Sequence, residues 1–263
     1  MAVARLYDGM AIAWDSSVAL VYRPLASSLV QASPVPLDGK LVLDLGSGTG
    51  PVAQALVARG ARVVVADCSL AMVVPGYQRG WMAIAADALA VPVRKASFDA
   101  VAAGFLLNHV PPTSVLAEMA RVVRAGGAVF ASTWASVRSD PVKAAVAEVL
   151  RSWGWRPPAW YESMKTALGP VSGDPQRLTN AAEEVGLVDV HAAVVEADLQ
   201  DLDAPAVVAY RLAMPQIAPW VAGLGEPATS QLVRQACRAA FPYAPGWRPS
   251  VIHLTARVPA HPR

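Results

Sequence analysis

Three glycines at every second position, preceded by an aspartate, are the residues of this chain best suited to chemistry. Residues 41–50 read LVLDLGSGTG and place Asp44 before Gly46, Gly48 and Gly50. Glycine adopts positive φ angles and carries no Cβ, so a loop of this kind lets the backbone approach a ligand closely. The segment therefore predicts a turn that binds a nucleotide-like ligand through main-chain amides.

The residues on both sides of this loop predict the elements that hold it. Residues 41–43 form a short apolar run typical of a strand buried on both faces. Pro51 suits the first turn of a helix that continues to Arg59, and Gly60 is placed to end it. The G-x-G-x-G spacing differs from the G-x-G-x-x-G of dinucleotide-binding folds, which disfavours a nicotinamide-dependent dehydrogenase but leaves it as an alternative.

Two further aspartates follow predicted strands. Residues 62–66 and 82–86 are mainly apolar, and Asp67 and Asp87 come directly after them. A carboxylate at a strand end can bind both hydroxyls of a ribose. A single aspartate in such a place is more often a helix cap or a turn residue. Behind a glycine loop, the repeated pattern favours a ligand site.

Together these motifs resemble the class I S-adenosylmethionine-dependent methyltransferases, in the branch that acts on small molecules. The D-x-G-x-G-x-G pattern is similar to the family's first motif, the segment from Asp67 to Met72 to its second, and Asp87-Ala88-Leu89 to its adenine-binding turn. The resemblance covers residues 40–134. It implies S-adenosylmethionine as cofactor, S-adenosylhomocysteine as product, and a set of cofactor-binding residues: Tyr7, Asp44, Gly46, Ser47, Gly48, Thr49, Gly50, Asp67, Cys68, Ser69, Met72, Asp87, Ala88, Gly104 and Phe105.

A fourth motif supplies the catalytic candidate. Ser97-Phe98-Asp99 leads into a predicted strand at residues 100–105, and an Asn-His pair follows, as in the small-molecule branch that the chain resembles. His109 is the candidate general base for a hydroxyl acceptor, since an unperturbed pKa near 6.5 would leave much of it neutral at pH 7. The alternative is that His109 has only a structural role. His191, His253 and His261 are weaker candidates, in a late strand, the last strand and the tail.

The resemblance also implies the fold. We expect an α/β protein with a Rossmann-like, doubly wound sheet of seven strands, mostly parallel with the last antiparallel, and helical lid insertions. Gly126-Gly127 is expected to form the turn that leads into strand five. A helix from Pro175 to Glu184 and strands at residues 187–195 and 250–258 complete the sheet. We expect one domain, residues 1–263, with four parts: an N-terminal helical cover (1–39), a cofactor half (40–134) and two lid insertions (135–173 and 198–249).

Aromatic residues are concentrated outside the predicted cofactor half. Six of the eight tryptophans lie at or beyond position 134. Each one alone is explained by packing of lid helices, but together they suggest an apolar pocket roof. Tyr7 and Trp14 precede the cofactor half at helical spacing, in a segment similar to the cover helix of small-molecule relatives. The residues predicted to line the substrate pocket are Trp14, Trp134, Trp153, Trp155, Trp160 and Tyr161.

Composition limits the remaining possibilities. The net charge is +2, with basic residues spread along the chain, which argues against a nucleic-acid partner. Cys68 and Cys237 are too few for a disulfide framework or a zinc site, so we expect no metal and a cytoplasmic location. The apolar runs are too short to span a membrane. The oligomeric state stays open, a homodimer included.

We therefore expect a methyltransferase that acts on a small, largely apolar, aromatic or polycyclic metabolite. The preferred prediction is O-methylation in specialised metabolism. N- or C-methylation, or a pericyclic, non-methylating descendant of the same fold, are the alternatives from the same family. The sequence does not identify the acceptor.

Overall fold

The computed structural model describes residues 7, 9–136, 140–199 and 201–260. Its centre is a sheet of seven strands, which has the order β3-β2-β1-β4-β5-β7-β6. The strands are β1 (Leu41–Leu45), β2 (Arg62–Asp67), β3 (Met82–Ala85), β4 (Phe98–Gly104), β5 (Val123–Trp134), β6 (Val188–Glu196) and β7 (Ser250–Arg257). Strands β1 to β5 pair in parallel, and β7 is antiparallel to both of its neighbours. The predicted doubly wound α/β fold is confirmed.

Helices flank the sheet and extend beyond it. They are α1 (Ala11–Ala13), α2 (Ala19–Gln31), α3 (Pro51–Val57), α4 (Leu70–Gln78), α5 (Pro112–Val122), α6 (Pro141–Ser152), α7 (Ala159–Ser172), α8 (Pro175–Glu184), α9 (Ala204–Leu212), α10 (Ala218–Ala222) and α11 (Glu226–Ala240). Trp14–Val18 is π-helical and joins α1 to α2. No helix within the described ranges combines the length and the apolar character that a membrane span requires.

Two apolar layers hold the helices on the sheet. On one face, Leu29 of α2 and Leu56 of α3 pack with Phe130 of β5. On the other, Met119 of α5 and Leu178 of α8 pack with strand residues of the same sheet. Four of the five residues of β1 are buried, as the continuous apolar run of the sequence predicts. The glycine loop after β1 is therefore fixed to the most deeply packed part of the fold.

Most strand and helix bounds match the expectations within two residues, the usual uncertainty of element ends. Helix α8 has the predicted bounds, and the Asp174 carboxylate caps it by accepting a hydrogen bond from the Arg177 amide. The predicted glycine turn lies inside β5, where the pairing with β4 shifts between Phe98 and Ala100. Gly126 there has φ 74°. The turn is thus an irregularity within a longer strand.

A third apolar cluster lies in the late insertions. Val146 and Leu150 of α6 pack with Leu232 and Ala236 of α11, and Val207 of α9 belongs to the same cluster. The helices of the two insertions therefore pack on each other as well as on the sheet. We keep the division into a cover, a cofactor half and two lid insertions within one domain as a proposal.

Candidate active site

A cavity of about 450 Å³ opens at the carboxyl ends of β1 to β5. This edge of a doubly wound sheet, where the strand order reverses between β1 and β4, is where such folds bind ligands, and the volume suits a small molecule. The π-helical segment and α2 cover the cavity with Trp14 and Tyr22. The predicted cofactor residues that line it are Tyr7, Gly46, Ser47, Gly48, Asp67, Cys68, Met72, Asp87, Ala88, Gly104 and Phe105.

The glycine loop fits a ligand that approaches its backbone. Gly48 has φ 52°, and a Cβ built on it would meet only the Trp14 indole nitrogen, at 3.6 Å. At Gly46 a Cβ would instead lie 2.9 Å from Leu106 Cδ1. Gly48 is thus the loop glycine whose missing side chain leaves room toward the cavity, whereas Gly46 is required by packing.

Asp67 ties the loop to the next strand end. Its Oδ2 accepts a hydrogen bond from the Gly48 amide at 2.9 Å, and its Oδ1 accepts one from the Ser69 amide at 2.9 Å. A carboxylate has about four lone-pair sites, so acceptor capacity remains for a pair of ribose hydroxyls. Burial raises the pKa of Asp67, and hydrogen-bond donors from a ligand would favour its charged form.

Asp87, Ala88 and Met72 suit the other end of a nucleoside. Asp87 lies on the cavity wall, and its Oδ1 accepts a hydrogen bond from the Leu89 amide at 2.9 Å, which closes the turn after β3. Ala88 and Met72 are buried beside it. One carboxylate next to an apolar surface is the kind of arrangement that holds an adenine ring, and the residues present fit S-adenosylmethionine.

Asp44 and Ser69 belong to the predicted cofactor set but do not line the cavity. The Asp44 carboxylate is fully buried, and its Oδ2 accepts a hydrogen bond from the Ala53 amide in the first turn of α3. Burial raises the pKa of Asp44 to about 8. Ser69 is buried at the start of α4. The Asp44 side chain holds the start of α3, and the Ser69 carbonyl accepts the Met72 and Val73 amides in the first turn of α4. Contact of either residue with the cofactor stays a prediction.

Thr49 and Gly50 are also outside the lining. The Thr49 carbonyl accepts a hydrogen bond from Arg79 Nη1 at 2.6 Å, and Thr49 Oγ1 has no partner among the described residues. A Cβ on Gly50 would lie 2.6 Å from the Trp81 ring. The structure thus places this half of the loop against Arg79 and Trp81.

Tyr7 and His109 form a hydrogen-bonded pair on the cavity wall. The Tyr7 hydroxyl lies 3.3 Å from His109 Nε2, and the two rings meet edge to face. Burial lowers the pKa of His109 to about 4 and raises that of Tyr7 well above its ordinary value. The unperturbed pKa expected from the sequence is wrong for this histidine. His109 is neutral at pH 7, and its Nε2 can accept the hydrogen of Tyr7.

Aromatic side chains build the wall opposite the glycine loop. Trp14 stacks on Tyr22 with ring centroids 5.9 Å apart, and Tyr22 meets Phe105 edge to face at 5.0 Å. Phe105 has φ 59°, an unusual angle for a side-chain-bearing residue that is often found near active sites. Trp134 lies behind this wall, 4.6 Å from the Phe105 ring, and does not line the cavity.

The other predicted substrate-pocket residues do not line the cavity either. Trp153 donates its indole hydrogen to Gln235 Oε1 at 2.6 Å, and buried Trp155 donates to the Gln216 carbonyl at 3.2 Å. Both belong to the packing of the lid helices. Trp160 and Tyr161 meet edge to face on α7. Their contact with a substrate remains a prediction.

Several lining residues were not in the predicted set. They include Tyr22, Leu106 and Ser132. Tyr22 lies in the cover segment at helical spacing from Trp14, and that spacing could have identified it. Ser132 lies inside β5, and its hydroxyl has no partner among the described residues. No motif surrounds Ser132, so only the sheet order brings it to the cavity.

Comparison with known proteins places this site in a family. Residues 43–131 match the family described as Methyltransferase domain. A demethylmenaquinone methyltransferase from Mycobacterium marinum is 31% identical over 191 residues, which cover 70% of this chain and 77% of that protein. The chain belongs to the class I S-adenosylmethionine-dependent methyltransferases. A relative of the same name from Streptomyces griseus is 29% identical over 193 residues, covering 70% of this chain and 78% of its own length.

Solved structures agree on the fold of this methyltransferase. A Haemonchus contortus phosphoethanolamine N-methyltransferase 2 in complex with S-adenosyl-L-methionine superposes with a TM-score of 0.57 at 15% identity, covering 89% of this chain and 52% of that chain. Geranyl diphosphate C-methyltransferase from Streptomyces coelicolor superposes with a TM-score of 0.51 at 16% identity, covering 89% and 79%. The methyltransferase uses S-adenosylmethionine and acts on a small molecule.

Proposed function

We propose that this methyltransferase methylates a hydroxyl oxygen of a small, largely apolar aromatic or polycyclic metabolite. The observation that carries the proposal is the Tyr7–His109 hydrogen bond on the wall of a cavity that is otherwise mainly aromatic and apolar. Trp14, Tyr22 and Phe105 offer ring faces and edges to a flat acceptor. The Tyr7–His109 pair offers it one route for a proton.

S-adenosylmethionine supplies a methyl group already activated by its sulfonium charge. The protein has to bind and orient both reactants and exclude water. Asp67 and Asp87 would bind the ribose and the adenine side of the cofactor, and Gly48 would let the backbone approach it. Their position on the cavity wall supports these roles. The cover segment with Tyr7 and Trp14 shields this cavity from solvent.

The proton of the acceptor hydroxyl passes to the Tyr7 oxygen while the Tyr7 hydrogen passes to His109 Nε2. The acceptor oxygen would bond to the methyl carbon as the carbon–sulfur bond of the sulfonium breaks, with that electron pair left on sulfur, and as its own bond to hydrogen breaks, so that His109 ends as an imidazolium. The enclosed site then carries one positive charge before and after the transfer. That balance reduces the cost of protonating a histidine whose pKa burial holds at about 4.

Methylation at carbon is the second candidate, and the relatives support it. They are named for demethylmenaquinone, a quinone that lacks a methyl group. A hydroxylated ring whose oxygen loses its proton gains nucleophilic character at ring carbon as well as at oxygen. The same Tyr7–His109 pair would serve both reactions, and the position of the ring relative to the methyl group would decide between them.

Product analysis tests the proposal. The wild-type protein is incubated with S-adenosylmethionine carrying a deuterated methyl group and with 1-naphthol, 1,4-naphthalenediol or 1-naphthylamine. We expect the label in a hydroxylated naphthalene, and proton and carbon NMR then distinguish an ether from a ring methyl. Transfer to the amine alone, or to none of the three by protein that binds the cofactor, would contradict the proposal.

A further inference from the structure

Ser132 is a polar residue of the cavity wall that has no role in the proposed methyl transfer. It lies inside β5 and lines the same cavity as Tyr7 and His109. Only 1% of its surface is exposed, and its hydroxyl has no hydrogen-bond partner among the described residues. Buried polar groups of folded proteins are nearly always hydrogen-bonded. An unpaired hydroxyl on the wall of a cavity therefore indicates a hydrogen-bonding group of a ligand.

The sheet fixes the position of this side chain. The Ser132 carbonyl accepts a hydrogen bond from the Phe105 amide at 2.8 Å. In the sheet, Ser132 is paired with Gly104 of β4 and with His253 of β7, so the strand is held on both sides. The hydroxyl itself turns about one bond, among three staggered positions. It can therefore adjust to a bound ligand although the backbone around it is fixed.

The cavity wall beside Ser132 is apolar. A Cβ on the neighbouring Gly104 would lie 2.7 Å from Val52 Cγ2, so Val52 packs against this part of the sheet. Val52 and Phe105 line the cavity as well. The Ser132 hydroxyl is thus a polar group within an apolar part of the wall. Ligand pockets commonly use such an arrangement to fix the orientation of a mainly apolar molecule.

Ser132 lies at the end of the cavity away from the proposed nucleoside residues. Asp67 ends β2 and Asp87 follows β3, whereas β5 is three positions from β2 in the strand order. Neighbouring strands are about 4.8 Å apart, which separates β5 from β2 by about 14 Å. Among the described residues that line the cavity, these two aspartates are the only carboxylates, and there is no lysine or arginine. The Ser132 end therefore suits an uncharged polar group of the acceptor.

We propose that the Ser132 hydroxyl binds a second, uncharged oxygen of the acceptor. The preferred substrate then carries a carbonyl or hydroxyl group in addition to the hydroxyl that faces Tyr7. A serine hydroxyl both donates and accepts hydrogen bonds, so it suits either group. Ser132 is then a residue that determines specificity, because it selects the acceptor and orients its ring without taking part in the proton route. This inference rests on the proposed function.

A structural role of Ser132 makes a different prediction. His253, which is opposite Ser132 in β7, also has a buried ring nitrogen, Nε2, without a partner among the described residues. A buried water between the two groups would satisfy both of them. Removing the Ser132 hydroxyl would then lower the melting temperature without changing which ligands bind. A hydroxyl reserved for a ligand is unpaired in the free protein, so its removal leaves the melting temperature unchanged or raises it.

The test moves a second hydroxyl around the ring of 1-naphthol. Calorimetric titrations of the protein saturated with S-adenosylhomocysteine give the dissociation constants of 1-naphthol and of 1,3-, 1,5-, 1,6- and 1,7-dihydroxynaphthalene. We expect the wild type to bind at least one of these isomers about three- to tenfold more tightly than 1-naphthol, the range of a neutral hydrogen bond. Ser132→Ala should lose this preference and keep the wild-type affinity for 1-naphthol.

Thr133→Val is the matched control. Thr133 is the next residue of β5, and its buried hydroxyl also has no partner among the described residues. Its side chain lies on the opposite face of the sheet and does not line the cavity, so the variant should keep the preference. Absence of a preference in the wild type, or an unchanged preference in Ser132→Ala, would overturn the inference. Failure of 1-naphthol and all four isomers to bind would count against the aromatic acceptor of the proposed function itself, whereas binding of 1-naphthol without a preference rejects only the role of Ser132.

Discussion

At the scale of single residues, Asp67 is fixed in place on the wall of the proposed cofactor site before a ligand arrives. Its two oxygens hold the amides of Gly48 and Ser69, which lie on either side of it in the fold. The carboxylate is thus fixed in place while lone pairs remain free for a ligand. Fixing a polar group in advance lowers the ordering cost of binding.

Replacing Asp67 or Gly48 should therefore affect cofactor binding by different routes. Asp67→Ala removes charged hydrogen bonds to the ligand and to Gly48, and we expect about 1.5–3 kcal/mol weaker binding by calorimetry. Gly48→Val places a branched side chain at φ 52° on the cavity wall, and binding should become undetectable. Gly186→Val, at φ 82° on the surface, imposes similar backbone strain and should leave affinity unchanged. Cofactor affinity equal to that of the wild type in all three variants would refute this site.

His109 differs from a freely titrating histidine. Its low pKa means that the His109 ring is uncharged at every pH near 7. It is therefore ready to accept a proton, although it is a weak base. The proton transfer has to accompany bond formation to the acceptor instead of preceding it, because a fully formed imidazolium is costly until the sulfonium charge is lost.

His109→Ala should lower kcat by about 10² while leaving cofactor affinity nearly intact. Tyr7→Phe should have a similar effect, because it interrupts the same route. In the wild type, kcat should stay level from about pH 8 to pH 5 and decrease as pH falls through about 4, where His109 becomes protonated. His191→Ala, on the exposed side of β6, is the control. A decrease centred near pH 6.5 would show that His109 is not buried in this way.

At the scale of elements, one arginine joins the cover to the cofactor half. Arg79 at the end of α4 binds the Asp15 carboxylate of the π-helical segment at 3.1 Å. Its other terminal nitrogen donates to the Thr49 carbonyl of the glycine loop at 2.6 Å. Exposed ion pairs contribute little alone, but this side chain also satisfies a loop carbonyl, so it couples the cover segment to the loop.

Arg79→Met should loosen the cover without changing the residues of the cavity. We expect S-adenosylhomocysteine to bind about three- to tenfold more weakly, equivalent to one charged hydrogen bond. Hydrogen exchange of α2 should also become faster. Arg151→Met, which breaks the exposed pair with Glu148, should change neither. If both variants behave like the wild type, Asp15 and Arg79 do not control access.

Several elements could be predicted from the sequence because their signals are local. The apolar run of β1, the proline that begins α3 and the capping Asp174 of α8 each act within a few residues. The lid is different. Trp153 and Trp155 are residues of a type common in ligand pockets. Their indole hydrogens instead bind Gln235 and Gln216, which lie more than 60 residues later. Packing between distant segments determines such contacts, and a local sequence pattern does not indicate which segments will pack together.

At the scale of the whole molecule, buried charges give opposing pH dependences of stability. Burial raises the pKa of Asp44 to about 8. The folded state then binds more protons than the unfolded chain from about pH 4 to 8, and this contribution to the free energy of unfolding falls as pH rises. Burial lowers the pKa of Lys143 to about 7. From about pH 7 to 10 the unfolded chain binds more protons, so this contribution rises with pH. The two windows overlap only between about pH 7 and 8, where the two contributions oppose each other.

Comparison of Lys143→Met with the wild type isolates the lysine, because Asp44 contributes equally to both. Below about pH 7 the wild type has to bury a charged ammonium, so the variant should have its largest relative stability there. The difference in free energy of unfolding, measured by urea denaturation, should shrink as pH rises from about 6 to 10. Lys143 Nζ lies 3.3 Å from the centroid of the Trp134 ring, and loss of this contact in the variant shifts the whole curve but not its slope. Lys165→Met, at an exposed position, should show a nearly constant difference. A constant difference for Lys143→Met too would mean that water reaches the ammonium as freely as in the unfolded chain.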